Sequence, residues 1–282
     1  MKKDVIRRRA IEPKTTTDHE IDARDSGVQS VDRALSIIET LAEDDEGYRL
    51  SDLAIRTGLS TSTVHRLLGT LENRRFVQFD RTGSKWHVGA RAFTVGATFA
   101  RRRNFSAQAV PYLRKLRDLT RETANLAVVD DEFIVVLTRM ESREIMRSLT
   151  KVGGRVAMVA SGVGKAVLAT YSDADVSAII HHHGMPRLTE KSIVRPGDLF
   201  KELEKIRRQG FAIDDEEACM GLRCIAAVVY NDCAEPLAAI SVSGMTSRLT
   251  DERLPLLGQT VREVAAELTV ALGGLMPAAK PA

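Results

Sequence analysis

No stretch of this 282-residue sequence approaches the roughly 20 consecutive apolar residues that a membrane span requires, so no membrane partner is expected. The basic N-terminus, with Lys2, Lys3, Arg7, Arg8 and Arg9, is not followed by an apolar stretch, and the pattern of a secretory signal fails there. A cytoplasmic protein is the expectation. Cysteine is scarce, and Cys219, Cys224 and Cys233 all fall in one short C-terminal stretch, which reads as reduced thiols rather than a disulfide framework. Charge of one sign is also lacking, because a net +3 over the whole chain names no partner. There is no internal repeat.

What is present describes a two-domain globular protein: the length suits two cores, and the 44% hydrophobic and 28% charged residues are the mixture such cores need. The charge is unevenly placed. Between Arg56 and Arg103 there are 10 basic residues and 2 acidic ones, the local footprint that a polyanion demands.

Residues 1–26 alternate charges with Thr and Pro, show no apolar period and are expected to form a disordered tail. Val31, Ala34, Leu35, Ile38, Leu41 and Ala42 then recur at amphipathic-helix spacing, up to the acidic Glu43 to Glu46 and Gly47. A second, short helix is expected from Ser51 as N-cap, with Leu50 stapled onto Ile55, ending at Gly58. Ser60 caps a third helix that carries Val64, Leu67, Leu68 and Leu71 on one face and Thr61, Ser62, His65 and Arg66 on the other. Two helices joined by a Gly-containing turn make a helix-turn-helix, whose second helix enters the major groove. Ser60, Thr61, Ser62 and Thr63 are short enough to meet base edges or phosphates, and His65 and Arg66 add longer donors. The bland alternative is that these hydroxyls only cap a solvated helix. Phe76 to Phe79 and Lys85 to Val88 read as strands around a tight loop, a wing whose Arg81 and Lys85 would meet phosphate or the minor groove, with Trp86 in the hairpin core. Gly89 to Arg103 is expected to be a linker helix whose face of Phe93, Ala97 and Ala100 makes a dimer contact, with Arg101 to Arg103 at its solvated end.

The remainder reads as an α+β domain. Pro111 is expected to open a helix with Leu113, Leu116 and Leu119 inward, ending at Ala124. Leu126 to Val129 and Phe133 to Leu137 follow as a hairpin, with a further strand over Ile145 to Leu149. Helices over Gly164 to Tyr171, Asp175 to His182 and Asp198 to Gln209, strands over Arg223 to Tyr230 and Pro236 to Val242, and a last helix from Asp251 to Leu272 complete it. Three polar features could share a site. Ala160 to Lys165 leads into a helix whose free N–H groups would receive an anion. Asp214 to Glu217 precedes Gly221-Leu222-Arg223-Cys224. Ser241 and Ser243, two apart on a strand, face one side. Each has a plainer reading: Gly162-Val163-Gly164-Lys165 lacks the spacing of a nucleotide-binding loop, the acidic run could be a solvated turn, and Cys224 could be a small core residue. A nucleophilic Cys224 in a thiol enzyme is the main rival, but no histidine is placed beside it by sequence. A metal sensor using His181, His182 and His183 with Cys219 is the third, and adjacent helix side chains diverge from any single ion.

Taken together these residues resemble the IclR family of bacterial transcription regulators, over nearly the whole chain from Val28 to about Gly274. The carriers are Val28 to Leu35, Gly58 to Leu68, the wing, Ala160 to Ala166, Asp214 to Glu217, Gly221 to Ala227 and Ala239 to Gly244. The acidic run before Gly-Leu-Arg-Cys is most similar to the glyoxylate-sensing branch. The resemblance implies a winged helix-turn-helix over 27–88, a linker helix over 89–105, a GAF-like effector-binding domain over 106–275 and a tail over 276–282. It also implies a DNA-binding transcription regulator, repressor or activator, rather than an enzyme, with no cofactor or metal, acting as a dimer or dimer of dimers on a palindromic operator. Glyoxylate or a similar small 2-oxo acid would be the effector, held by Gly162, Val163, Asp214, Cys224, Ser241 and Ser243 with Leu222 as apolar cover. Val163 stands where close relatives have Ala, and Met146 and Leu149 are candidates for the rest of the lid.

Overall fold

The computed structural model describes residues 28–102, 105–131, 133–142 and 151–277. The expected tail over 1–26, the strand over Ile145 to Leu149, the lid candidates Met146 and Leu149, Arg103 with the side chains of Ala100 to Arg102, and residues 278–282 of the second tail lie outside the described residues. The chain divides between Thr98 and Phe99 into two compact units.

The first unit is built on three helices and a hairpin. Helix α1 spans Gln29–Ala42, α2 Leu50–Thr57 and α3 Thr61–Asn73; strands β1 (Val77–Asp80) and β2 (Lys85–Val88) pair antiparallel, and α4 (Ala90–Arg102) follows. Its core is Ile37, Leu41, Tyr48, Leu53, Val64, Leu68, Val77 and Trp86. Burying each large apolar side chain of this kind stabilises by about 1.5–3 kcal/mol. Trp86 is hairpin core, as its sequence context suggests, and its backbone exchanges hydrogen bonds with Tyr48 at 2.8 and 3.1 Å, adding a bridge that no periodicity announces.

Three local expectations change. The inward stripe of α1 runs through Ala34, Ile37, Ile38 and Leu41, leaving Val31 and Leu35 exposed, because a 3.6-residue period fits that register to the core. Helix α2 starts two residues early: Arg49 is the N-cap, its N–H donating to Asp52 Oδ2 at 3.4 Å, and Ser51 lies inside the helix. No staple onto Ile55 forms, since Leu50 packs on the core while Ile55 is 80% exposed. Gly58 does cap the helix, at φ 66°, a left-handed conformation in which glycine carries no Cβ penalty.

The second unit is a six-stranded, wholly antiparallel sheet with helices on both faces, an α+β domain. Its elements are α5 (Phe105–Thr120), β3 (Thr123–Asp130), β4 (Phe133–Met140), β5 (Arg155–Ala157), α6 (Gly162–Leu168), α7 (Asp173–His183), α8 (Pro196–Gln209), β6 (Ala212–Asp215), β7 (Leu222–Tyr230), β8 (Pro236–Met245) and α9 (Leu254–Ala271). The strand order is β5-β4-β3-β8-β7-β6. Side chains alternate across the sheet. Ile225, Ala227, Val229, Ile240 and Val242 face α5 and α9, while Ala226, Val228 and Ala239 face α6 and α8. Helix α5 departs from expectation at both ends. Pro111 lies inside it, and the buried stripe is Ala109, Leu113, Leu116 and Thr120, so the chain is helical a turn and a half before the proline. Leu119 falls off that stripe and is exposed, and Ala124 belongs to β3, opposite Val242.

Candidate effector and DNA-binding sites

On the first unit, Ser60 accepts the Thr63 N–H at 3.3 Å and shares its hydroxyl with Ser62 and Thr63 at 3.1 and 2.8 Å. Those three hydroxyls are engaged in capping α3. Thr61, His65 and Arg66 stand exposed beside them, opposite the buried Val64 and Leu68. At the wing, Asp80 accepts the N–H groups of Thr82 and Gly83 at 2.9 and 2.8 Å, which closes the turn and lowers its carboxyl pKa. Arg81 is exposed at the tip and Lys85 is half-buried at the start of β2.

In the second unit, one face of the sheet changes from apolar to polar toward the ends of β3, β8, β7 and β6. Cys224 lies opposite Asp214 on one side and Ser243 on the other, and Ser241 lies opposite Asn125. These side chains share the α6 face, because each is an even number of residues from, or directly paired with, a residue packed there. Helix α6 closes the group. A Cβ built on Gly162 would stand 3.1 Å from the Cys224 carbonyl, 3.4 Å from its Sγ and 3.5 Å from Asp214 Cβ. Ser161 caps the helix by accepting from Gly164 N–H at 3.0 Å, and the first intrahelical bond, Lys165 N–H to Ser161 O, leaves the first-turn N–H groups of Gly162 and Val163 ahead of it. Val163 sends its side chain into the apolar cluster on that face. Leu222 is half-buried, two residues from Cys224 and on its side.

The electrostatics are those of a buried polar island. Burial, and then the Glu217 charge, push the Asp214 carboxyl up to about 6, against the pull of Lys165 and of the N–H groups of Glu217 and Ala218, which reach Oδ1 at 2.8 and 3.3 Å. Burial followed by Asp214 pushes the Cys224 thiol up to about 11, despite hydrogen bonds with Ser243 and Ser241. Such a thiol is a poor nucleophile at neutral pH.

Two features escaped the sequence reading. Lys165 is 0% exposed; its ammonium pairs with Glu217 and donates to Ile213 O at 2.7 Å, so it anchors β6 and does not reach for a phosphate. Asn125 donates from Nδ2 to Ser241 and Ser243 at 3.4 and 3.3 Å. The signal for it was a polar residue set among the apolar residues of β3. The acidic run, open to reading as a solvated turn, instead starts on β6 with Asp214 and Glu217 buried. His181 to His183 are exposed at the end of α7, and among the described residues no three His, Cys, Asp or Glu side chains are grouped to hold a metal. An open groove of about 700 Å³ beside Tyr112 and Val270 carries Glu263 and Glu267, the latter paired with Lys115 at 2.6 Å.

The model of the IclR helix-turn-helix domain matches residues 30–81, and that of the bacterial transcriptional regulator IclR C-terminal domain matches 97–270. The chain belongs to the IclR family. It is 41% identical over 249 residues to the acetate operon repressor of Salmonella typhimurium, covering 88% of this chain and 91% of that one. It is 39% identical over 248 residues to the HTH-type transcriptional regulator BhcR of Paracoccus denitrificans, covering 88% of each. A solved IclR homologue from Microbacterium hydrocarbonoxydans, complexed with 4-hydroxybenzoate, shares the fold at a TM-score of 0.71 and 22% identity, over 86% of this chain and 98% of that one. This IclR protein is therefore a DNA-binding transcription regulator with a C-terminal effector-binding domain, and not an enzyme. No helix among the described residues is long and apolar enough to cross a membrane.

Proposed function

We propose that this IclR regulator represses transcription from a palindromic operator, as a dimer or dimer of dimers, and that a small 2-oxo acid, glyoxylate foremost, controls its DNA binding. In this reading residues 27–88 bind DNA, 89–105 link, and 106–275 sense the effector. Thr61, His65 and Arg66 read base edges or phosphates, Ser60, Ser62 and Thr63 hold the helix end that presents them, and Arg81 and Lys85 grip the flanking backbone. The Salmonella relative's name supports repression.

The observation that carries the effector reading is the gathering of Asp214, Cys224, Ser241 and Ser243 on one sheet face under Gly162. The effector carboxylate takes the serine hydroxyls and the first-turn N–H groups of Gly162 and Val163. Asp214, with a pKa of about 6, is mostly ionised at neutral pH and accepts from the hydroxyls of the hydrated aldehyde. Leu222 covers the apolar side. Binding favours one arrangement of the two DNA-binding units over the other. The 4-hydroxybenzoate complex makes aromatic acids the second class to test.

A thermal-shift panel of glyoxylate, pyruvate, glycolate and aromatic acids, followed by an operator mobility assay, tests this. Glyoxylate should give the largest shift, Ser241→Ala should abolish it, and affinity should rise from pH 5 to 7 as Asp214, faced by Glu217, Lys165 and Cys224, ionises. Full response in both Ser241→Ala and Asp214→Ala would misplace the site.

A further inference from the structure

We infer that Asn125 is a positioning residue: it turns the hydroxyl hydrogens of Ser241 and Ser243 toward the effector and thereby selects an anionic ligand. The inference rests on the effector site proposed above. Asn125 is 9% exposed, on β3, directly opposite Ser241 on one side and Arg139 of β4 on the other. Its amide nitrogen has two hydrogens and no lone pair to offer. Contacts at 3.4 Å to Ser241 Oγ and 3.3 Å to Ser243 Oγ use both.

Each serine oxygen therefore accepts from Asn125 and keeps its own hydrogen to give elsewhere. The direction left is that of Cys224, which lies opposite Ser243 in the register, and of Gly162 above it. Two O–H donors thus converge where the carboxylate is placed. Were the amide turned about, its carbonyl oxygen would accept both hydroxyl hydrogens and two serine lone pairs would face the anion. The strand order opposes that turn. Arg139 stands across the register from Asn125 on the same face, and a guanidinium has donors only, so the amide oxygen suits the β4 side and the amide nitrogen the β8 side. The polarity set between β4 and β3 is read out on β8.

Isothermal titration of the full chain with glyoxylate and with its neutral amide, glyoxylamide, tests the point in wild type, Asn125→Asp and Asn125→Ala. Asn125→Asp keeps the shape but accepts where the amide donates. It should weaken glyoxylate at least tenfold and shrink the preference for glyoxylate over glyoxylamide at least fivefold. Asn125→Ala, which frees the hydroxyls without adding charge, should fall between. Glyoxylate affinity within twofold of wild type in both variants would overturn the role, and so would an equal loss for both ligands, the mark of simple damage to the sheet. Loss of binding in Ser241→Ala but not in Asn125→Asp removes only the part given to Asn125. Wild-type protein that binds neither ligand removes the effector reading and this inference with it.

Discussion

The edge proposed to face DNA and the island proposed to hold the effector are built on opposite plans. Thr61, His65 and Arg66 come from one helix, lie within six residues of each other and stand in solvent. Asn125, Gly162, Asp214, Cys224 and Ser243 come from five elements, and all are buried except Cys224, which is half-buried. An exposed edge costs its host domain little and acts when a partner arrives. A buried island must satisfy its own hydrogen bonds before any ligand comes, since each unpaired buried group costs about 1–3 kcal/mol. Substitutions on the first should therefore change binding and spare stability, while those on the second should change both.

The largest break in that contrast should come from Lys165→Met. It leaves Glu217 buried without its cation, and removing one partner of a buried pair costs about 3–5 kcal/mol. Chemical denaturation should show that loss, and a change under 1 kcal/mol would mean the pair does not hold β6.

Next comes Asp214→Asn. The folded carboxyl is raised to about 6 from the ordinary 3.8, so the folded state binds the proton more tightly than the unfolded one. Stability carried by the neutral form is full below pH 4 or so and is lost as pH rises through about 6, up to roughly 3 kcal/mol. The asparagine can still accept the Glu217 N–H and has no such loss, so the variant should gain on wild type across that window. Parallel stability curves from pH 4 to 7 would contradict it.

On the exposed side, Arg66→Ala should weaken operator binding by about 1–3 kcal/mol, the worth of a good base or phosphate contact, with an unchanged melting temperature. Wild-type affinity should fall steeply with salt. A variant that binds like wild type, or one that melts early, would erase the contrast drawn between the two regions. The smallest effect is expected from Ser60→Ala, which removes the α3 cap for about 1 kcal/mol. That loss should appear in both stability and operator affinity, because the same helix end presents Thr61 and Arg66.

How much was legible beforehand follows from the same contrast. The α3 cap, Gly58, the Val64 and Leu68 face and the hairpin around Trp86 were readable because each depends on residues within one helical turn or one tight loop. Ser241 and Ser243 could be assigned to one side of a strand by their spacing alone. That they meet Cys224 and Asn125 could not be read, because it depends on which strands are neighbours and on their register. The expected inward Val31, Leu35 and Leu119 failed for a related reason: an apolar residue can sit on a helix face that the rest of the fold leaves uncovered.

Local chemistry in the chain thus determined the helix-turn-helix, the wing, the alternation of the second unit's strands and the residue types available for an anion. Tertiary structure alone decided that Lys165 would serve Glu217 instead of a ligand, that Asp214 would be buried, and that Asn125 would aim two serines. Those outcomes depend on contacts between residues tens of positions apart, whose meeting is set by strand order and by the exclusion of water from the sheet face, and neither quantity is written in any short window of sequence.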